Sequence, residues 1–409
     1  MRHALFFAAF ASSAIALSHA AFADPPGFRQ GYRVVPFNNP GEARPHVWIR
    51  GFRGTEQPYQ STVTGTYAPS GIAAAYQLDE LYSWGATGLA TTIAIVDAYD
   101  SPNALADLNA FSSNFGLPAM NQPNARCSGQ SPTFTKVSQT GSQTSLPARN
   151  SGWEVEINLD TQWAHAIAPC ANIVLVEASS SSIANLMAAV KTAGSMANYV
   201  TMSWGGGESR SQTSYDSQFS ASRVTYLASS GDTGGIVEWP SSSPHVIAVG
   251  GTDLVLNANL TVQSETAWSG TGGGCSTVEP AIAPQSGVVP SSCQHRATPD
   301  VSIAGGPTSA VYVYISDQGG WFEVYGTSLS VQLWGGVLAL TGPSDGNMLT
   351  YLYEGASGLP YSSLYQSDYR DIVSGTAGSF SAAPGWDFTT GLGSPLTASL
   401  LPFLVRAQE

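Results

Sequence analysis

Five short apolar runs, separated by helix-forming segments, limit the fold more than any other feature of this chain. The runs are residues 91–99, 171–178, 199–205, 224–232 and 245–253. They are apolar almost throughout rather than alternating, as expected of strands covered on both faces. Segments with helical patterns, such as 104–116 and 181–195, lie between them. The order predicts an α/β fold with a mostly parallel twisted sheet and helices on both faces.

The N-terminus has the three parts of a secretory signal. Residues 1–23 hold a weakly basic start, an apolar run and a small-x-small site, Ala21-Phe22-Ala23. The apolar run is too short to span a bilayer, and no later stretch reaches about 18 uninterrupted apolar residues. We expect a secreted protein, extracellular or periplasmic, with no membrane attachment after signal removal.

The rest of the chain divides into two parts that differ in amino-acid composition and periodicity. Residues 24–65 are rich in Pro, Gly, Arg and polar residues without sustained periodicity, and we interpret them as a leader or short propeptide. Residues 66–409 show no internal repeat or boundary and are interpreted as one domain. The net charge of −13, with only two lysines, excludes a basic nucleic-acid footprint. Few basic groups would repel each other in acid, although an ordinary acidic secreted protein fits this composition equally well.

Four cysteines remain after signal removal, and they allow three pairings: Cys127, Cys170, Cys275 and Cys293. Nearest-neighbour pairing would join Cys127 to Cys170 and Cys275 to Cys293. In an oxidising compartment these would be structural disulfides. The absence of a C-x-x-C spacing argues against zinc or thioredoxin-like chemistry.

Two carboxylates four residues apart, Glu156 and Asp160, are the first candidate site. On a helix they share a face, so a proton tends to be shared and one pKa rises. Spacing alone favours a solvated acidic face. The surrounding segment is otherwise apolar, from Trp153 to Ile167, and this favours a partly buried helix instead.

Two further motifs are weak when taken singly. Ser328 follows a glycine turn at the start of an apolar helix, where backbone N–H groups and the helix dipole stabilise an anion. A nucleophile and an N-cap serine both fit, and local sequence favours the cap. Asp232 lies in a glycine-rich turn after a strand, for which ordinary turn chemistry is a sufficient explanation.

Together and in order, these motifs resemble the sedolisins, or serine-carboxyl peptidases, from about Tyr67 to about Pro402. The resemblance is carried by E-x-x-x-D at 156–160, SWGG at 203–206, SSGD at 229–232, SPHVIAVGGT at 243–252, RATPDVS at 296–302, GTS at 326–328 and the segment 369–395. It implies a subtilisin-like fold and endopeptidase activity on proteins or peptides at acid pH. It also implies one structural Ca²⁺, and we expect a monomer.

The resemblance assigns roles to residues. Ser328 would be the nucleophile, Glu156 the general base, Asp160 its partner and Asp232 the oxyanion donor. A carboxylate is a competent base at about pH 3–5, where a histidine is protonated. Substrate would contact Trp204 and Gly205, although Trp204 also fits a core position. The calcium ligands would be Asp371, Ile372, Ala383, Gly385 and Asp387, whereas the two aspartates also fit ordinary turns.

Two departures and two alternatives accompany the resemblance. The family typically has a large propeptide and often a proline soon after GTS, where this chain has Leu329-Ser330-Val331-Gln332. One alternative is a Ser-His-Asp hydrolase, with Asp97 as the acid and a histidine as the base. The candidates for that base are His46, His165, His245 and His295. The other is a catalytically silent binding protein on the same scaffold.

Overall fold

A computed structural model describes residues 32, 33, 41–58, 65–356, 360 and 362–409. The predicted signal segment lies outside these residues. Within them the α-helices are Pro69–Ala75, Leu78–Ser83, Ala104–Phe115, Ser151–Ile167, Ile183–Ala193, Thr327–Ala339, Met348–Glu354, Ser363–Asp368 and Thr397–Ala407. No helix in this part of the chain is long and apolar enough to cross a membrane.

The five apolar runs form the centre of one large sheet, as predicted. In spatial order its strands are Val262–Ala267, Val246–Leu256, Thr225–Ser229, Tyr199–Met202, Thr92–Ala98, Asn172–Ala178 and Phe134–Ser138, and Val301–Ala304 also pairs with the second of these. Neighbours are parallel except for Val262–Ala267, which is antiparallel. This confirms the predicted fold class, and we call this the central sheet.

The five strands formed by the apolar runs contribute side chains to two separate cores. Ile93 and Ile95 face the core that contains Ser151–Ile167 and Thr327–Ala339. Ala94 and Val96, on the opposite face, pack with helix Ile183–Ala193. Since alternate residues of a strand point to opposite faces, a strand buried on both sides must be apolar throughout.

The segment predicted as a leader contributes strands to the folded domain. Trp48–Gly54 lies in a second sheet, antiparallel to both Tyr32–Arg33 and Gly320–Tyr325. In that sheet Gly320–Tyr325 pairs with Ala310–Ile315, which pairs in turn with Thr66–Tyr67. Residues 41–58 are therefore packed against the predicted catalytic domain, while the boundary at residue 65 and removal of a leader stay predictions.

The run predicted as one strand at 199–205 is interrupted at Ser203. After Tyr199–Met202 the chain leaves the central sheet, and Trp204–Gly207, the cleft strand, pairs antiparallel with Arg44–Pro45 and with Glu238–Trp239. This strand lies at the carboxyl end of its predecessor, the edge where parallel sheets place functional groups.

The remaining strands form small pairs around the large sheets. They are Gly274–Pro280 with His295–Thr298, Tyr369–Arg370 with Ser394–Pro395, and Thr376–Ala377 with Phe380–Ser381. Disulfides join Cys127 to Cys170 and Cys275 to Cys293, as nearest-neighbour pairing predicts.

Candidate active site

Two packed helices bring the predicted carboxylates and serine together. Glu156 and Asp160 lie on Ser151–Ile167, the carboxylate helix, whose N-terminus is capped by the Asn150 side chain. Ser328 is the second residue of Thr327–Ala339, the serine helix. All three side chains are fully buried, so the carboxylate pair is no solvated acidic face.

A glycine is required where the serine helix begins. Gly326 has φ +145°, and a Cβ there would overlap the His46 carbonyl oxygen. Its backbone conformation and the close approach both exclude larger residues. The tight entry places the Ser328 side chain and backbone N–H at one corner of the cleft, with the helix N-terminus behind them.

Glu156 lies in an environment that favours its neutral form. Burial raises the pKa of Glu156 well above its ordinary value, and the charges of Asp160 and Asp97 raise it further, while Ser328 lowers it. The Ser328 hydroxyl lies near Glu156 but is directed to the Ser203 carbonyl oxygen at 3.2 Å. Neither carboxylate oxygen has a hydrogen-bond partner among the described residues. Such contacts commonly tighten only when substrate binds.

Asp160 is held by a second polar group on the serine helix. Its Oδ2 accepts a hydrogen bond from Gln332 Nε2 at 2.6 Å, and Gln332 also donates to Ser203 Oγ at 3.0 Å. Burial raises the pKa of Asp160 to about 8, although the neighbouring polar groups of Ser203, Glu156 and Gln332 lower it. Gln332 follows Ser328 by four residues and so shares its helix face, a spacing that was available in the sequence.

Asp97 forms a third member of this carboxylate cluster. It lies near the end of Thr92–Ala98, is fully buried, and has no hydrogen-bond partner for either oxygen in the described chain. Burial raises the pKa of Asp97 well above its ordinary value, with further contributions from Asp160 and Glu177. Its position beside Asp160 was not predicted, because it arises only when strand Thr92–Ala98 packs against the carboxylate helix in the folded chain.

Asp232 faces the serine from the other side of the cleft. Its Oδ1 accepts hydrogen bonds from the Thr327 N–H at 2.9 Å and the Thr327 hydroxyl at 2.7 Å. Its Oδ2 has no partner in the described part of the chain and lies beside Gly326. Burial raises the pKa of Asp232, against the lowering effects of His46 and Thr327. A protonated Asp232 can therefore donate a hydrogen bond from Oδ2 into the cleft.

The Ser328 N–H already binds a carbonyl group. It donates to the His46 carbonyl oxygen at 3.2 Å, and this oxygen and Asp232 Oδ2 are both close to Gly326. A backbone N–H and a carboxylic acid that converge on one oxygen can stabilise a developing oxyanion. The arrangement can thus support acyl transfer to Ser328.

The two predicted substrate contacts have different surroundings. The Trp204 side chain is fully buried, with Nε1 donating to the Val96 carbonyl at 2.8 Å and its ring against Trp239. It therefore packs as a core tryptophan, and only its backbone faces the cleft. At Gly205 a Cβ would lie 2.8 Å from His46 Cε1, so this glycine leaves room for a side chain in the cleft.

The histidines of the described chain do not provide a base for Ser328. His165 is buried and bonds the Pro118 carbonyl oxygen at 2.8 Å, while His245 and His295 are exposed. His46 approaches Ser328 through its carbonyl oxygen, and its ring bonds Ser229 and Glu238 instead. The geometry favours the carboxylate pair over a Ser-His-Asp triad.

The predicted calcium ligands lie on two facing loops. Gly385 N–H donates to Asp371 at 3.0 Å, and Ala383 N–H donates to Asp387 at 3.0 Å. Neither aspartate has an ion pair with a basic side chain in the described chain. Ile372, in the same predicted set, is buried.

No cluster of three or more His, Cys, Asp or Glu side chains able to hold a metal occurs in the described residues. The predicted set contains only two such side chains, Asp371 and Asp387, and takes its other ligands from backbone carbonyls. Half-buried Asp371 and buried Asp387, which lack cationic partners among the described residues and lie on loops joined by hydrogen bonds, suit a hard oxygen-binding cation such as Ca²⁺.

Comparisons with known proteins agree with this geometry. The model of the Subtilase family, Peptidase_S8, matches residues 156–350. Kumamolisin of Bacillus sp. strain MN-32 is 30% identical over 410 residues, which cover 90% of this chain and 70% of that protein. Sedolisin of Pseudomonas sp. strain 101 is 32% identical over 188 residues, which cover 41% of this chain and 30% of the other.

A solved structure shows the same fold. Pseudomonas sedolisin, described as a serine-carboxyl proteinase complexed with two molecules of pseudo-iodotyrostatin, superposes with a TM-score of 0.69 at 24% identity. The match covers 85% of this chain and all of the other. Taken with the kumamolisin match, this means that the chain belongs to the sedolisin family of serine peptidases and has their subtilisin-like fold.

Proposed function

We propose that this protein is a secreted endopeptidase that cleaves proteins or peptides at acid pH through an acyl-enzyme on Ser328. The observation that carries the proposal is the buried meeting of Ser328 with Glu156 and Asp160, opposite an Asp232 oxygen that is free to donate. Carboxyl groups occupy the places of both base and oxyanion donor. Membership of the sedolisin family and the two disulfides support peptidase activity and export.

Each carboxyl group has a separate task in the proposed reaction. Glu156 accepts the Ser328 hydroxyl proton as Oγ attacks the scissile carbonyl, and it returns that proton to the leaving amine. Asp160, held by Gln332, orients Glu156 and shares its proton. Asp232 in its neutral form and the Ser328 N–H stabilise the oxyanion. The cleft strand, with Gly205 and the Trp204 backbone, binds the substrate backbone.

We further propose that one Ca²⁺ is bound by Asp371, Asp387 and the backbone carbonyls of Ile372, Ala383 and Gly385. The ion would link two loops and stabilise the fold, and it would have no part in catalysis. A monomer without a nucleic-acid partner remains our expectation.

The proposed nucleophile is tested by comparing Ser328→Ala with Ser330→Ala on a denatured protein at about pH 4. Ser330 is a matched control, since it lies on the same helix but bonds the Ile303 and Ala304 carbonyl oxygens. We expect Ser328→Ala to abolish turnover and Ser330→Ala to retain it. Equal turnover by wild type and Ser328→Ala would exclude Ser328 as the nucleophile and leave a binding protein as the alternative.

A further inference from the structure

The chain's own segment Ala43–His46 lies in the cleft in the manner of a bound peptide. Arg44 pairs with Gly205 and Pro45 with Trp204, antiparallel to the cleft strand. The His46 N–H donates to the Ser203 carbonyl oxygen at 3.1 Å, and the His46 carbonyl oxygen accepts from the Ser328 N–H. An extended segment that pairs with a strand edge is a common mode of peptide recognition. The segment therefore shows how side chains before a scissile bond would be received.

One buried carboxylate receives two of these side chains. Glu238 Oε1 accepts from Arg44 Nη2 at 2.6 Å, and Glu238 Oε2 bonds His46 Nε2 at 2.9 Å. The His46 and Glu238 side chains are 0% and 3% exposed, and Arg44 is 9% exposed. Pairs this well removed from water discriminate strongly, because a buried carboxylate without its partner is costly.

Both ring nitrogens of His46 have a polar partner in the pocket. Nδ1 bonds Ser229 Oγ at 2.6 Å, and that hydroxyl donates to the Met202 carbonyl oxygen at 3.4 Å. Ser229 Oγ and Glu238 Oε2 can therefore accept hydrogen bonds from Nδ1–H and Nε2–H of a cationic imidazole. An imidazole that donates from both nitrogens is the cationic form, which predominates in acid.

Two glycines shape this pocket around the imidazole. A Cβ at Gly205 would lie 2.8 Å from His46 Cε1, and a Cβ at Gly231 would lie 2.9 Å from Glu238 Cδ. Gly205 therefore leaves room for the ring and Gly231 leaves room for Glu238, while Glu238 and Ser229 supply polar groups for the two ring nitrogens. The pocket matches a flat cationic ring in shape as well as in charge.

The charged groups around Glu238 keep it ionised in acid. Burial alone would raise the pKa of Glu238, but His46 and Arg44 outweigh it and lower the pKa to about 2. Asp232 is the other carboxyl group that faces His46, and Arg33 adds positive charge near Asp232 and Glu238. At about pH 4 Glu238 is therefore negative when these cations are in place, while histidine and arginine side chains are positive.

We propose that the cleft selects peptides with arginine at the third position and histidine at the first position before the scissile bond. Glu238 binds both of these side chains. The inference rests on the proposed peptidase function, because it assigns that cleft its substrate class. Glu238 acts as a specificity-determining residue, one carboxylate oxygen for each cation.

The test compares kcat/KM for two peptides at about pH 4. The first is acetyl-Ala-Arg-Pro-His-Val-Trp-amide, and the second has Ala for Arg and Leu for His. We expect wild type to prefer the first by at least about 30-fold, and Glu238→Gln to lose most of that preference. Because the tethered segment Ala43–His46 competes equally with both peptides, its presence cancels from the ratio. Glu323→Gln, a change in a glutamate paired with Arg50 and Arg53, should keep the full preference.

Each outcome of this comparison is decisive. Ser328-dependent cleavage without preference would overturn the inference and leave the proposed function intact. If Glu238→Gln retains the preference, or lowers kcat/KM equally for both peptides, Glu238 does not bind these side chains of the substrate. An absence of Ser328-dependent cleavage of any substrate would overturn the proposed function and this inference with it.

Discussion

The cleft contains two sets of buried carboxyl groups whose surroundings shift their pKa values in opposite directions. In the cluster of Glu156, Asp160 and Asp97, burial raises each pKa, and no basic side chain forms an ion pair with them in the described chain. Glu238 is also buried, yet Arg44 and His46 lower its pKa to about 2. Burial alone thus favours the acid form, and cationic partners restore the carboxylate.

This difference gives the two sets different uses. A cluster that shares protons can accept and return a proton during catalysis, because its charge is not held by a fixed partner. An ionised carboxylate with both oxygens paired is suited to recognition instead.

Replacing Glu156 by Gln should lower kcat/KM by at least about 10³-fold at acid pH, since Gln cannot accept the Ser328 proton. Stability should change little, because a neutral amide replaces a carboxyl group whose neutral form is already favoured by burial. Turnover and thermal unfolding measured on the same preparation check both parts. A variant that loses activity only because it unfolds would contradict this assignment.

The protein should lose thermal stability as pH rises from about 4.5 to 9. Burial raises the pKa of Asp160 to about 8 and that of Glu177 to about 9. In this window the folded state keeps protons that the unfolded state has released, so the free energy of unfolding falls with increasing pH. Glu177→Gln removes one such group and should raise Tm at pH 8 by at least roughly 2 °C, with little change at pH 4.5.

The control for that experiment is Glu323→Gln, which removes a carboxylate already paired with Arg50 and Arg53. It should not flatten the pH dependence of Tm. A wild-type Tm that increases steadily from pH 4.5 to 9 would show that the carboxyl cluster is ionised in the folded protein.

A third pair of carboxylates, half-buried Asp371 and buried Asp387, has no ion pair with a basic side chain in the part of the chain that the structure describes. If Ca²⁺ is their counter-charge, chelation at neutral pH should lower Tm by roughly 2–5 °C. Asp387→Asn should lower the starting Tm and remove the response to chelator. An unchanged Tm of wild type after chelation would contradict the proposed calcium site.

Much of this arrangement was predictable from sequence, and for local reasons. Doubly buried strands must be apolar throughout, so the central sheet could be recognised from the runs 91–99 and 171–178. The two disulfides follow nearest-neighbour pairing. The four proposed catalytic residues were found through their order, since each motif alone has a commoner explanation.

What the sequence did not predict depends on contacts between distant segments. Arg44 meets Glu238 across 194 residues, and no local pattern marks either residue as its partner. Trp48–Gly54 carries two glycines and two arginines, so its sequence is not apolar throughout like the central strands. It was therefore interpreted as part of the leader. Asp97 was recognised at a strand end and given a catalytic role only in a histidine triad, because its approach to Asp160 exists only in the folded chain.

If carboxyl groups replace histidine in catalysis, the pH dependence of kcat/KM of wild type and Asp232→Asn should show it. Since a neutral Asp232 is required as a donor, wild-type activity should be highest in acid and fall as pH rises and this group ionises. The asparagine amide of the variant donates an N–H at every pH, so the variant should retain activity further toward neutral pH. A wild-type maximum near neutrality, with an acid limb near the pKa of an ordinary histidine, would show that a histidine and not Glu156 acts as the base.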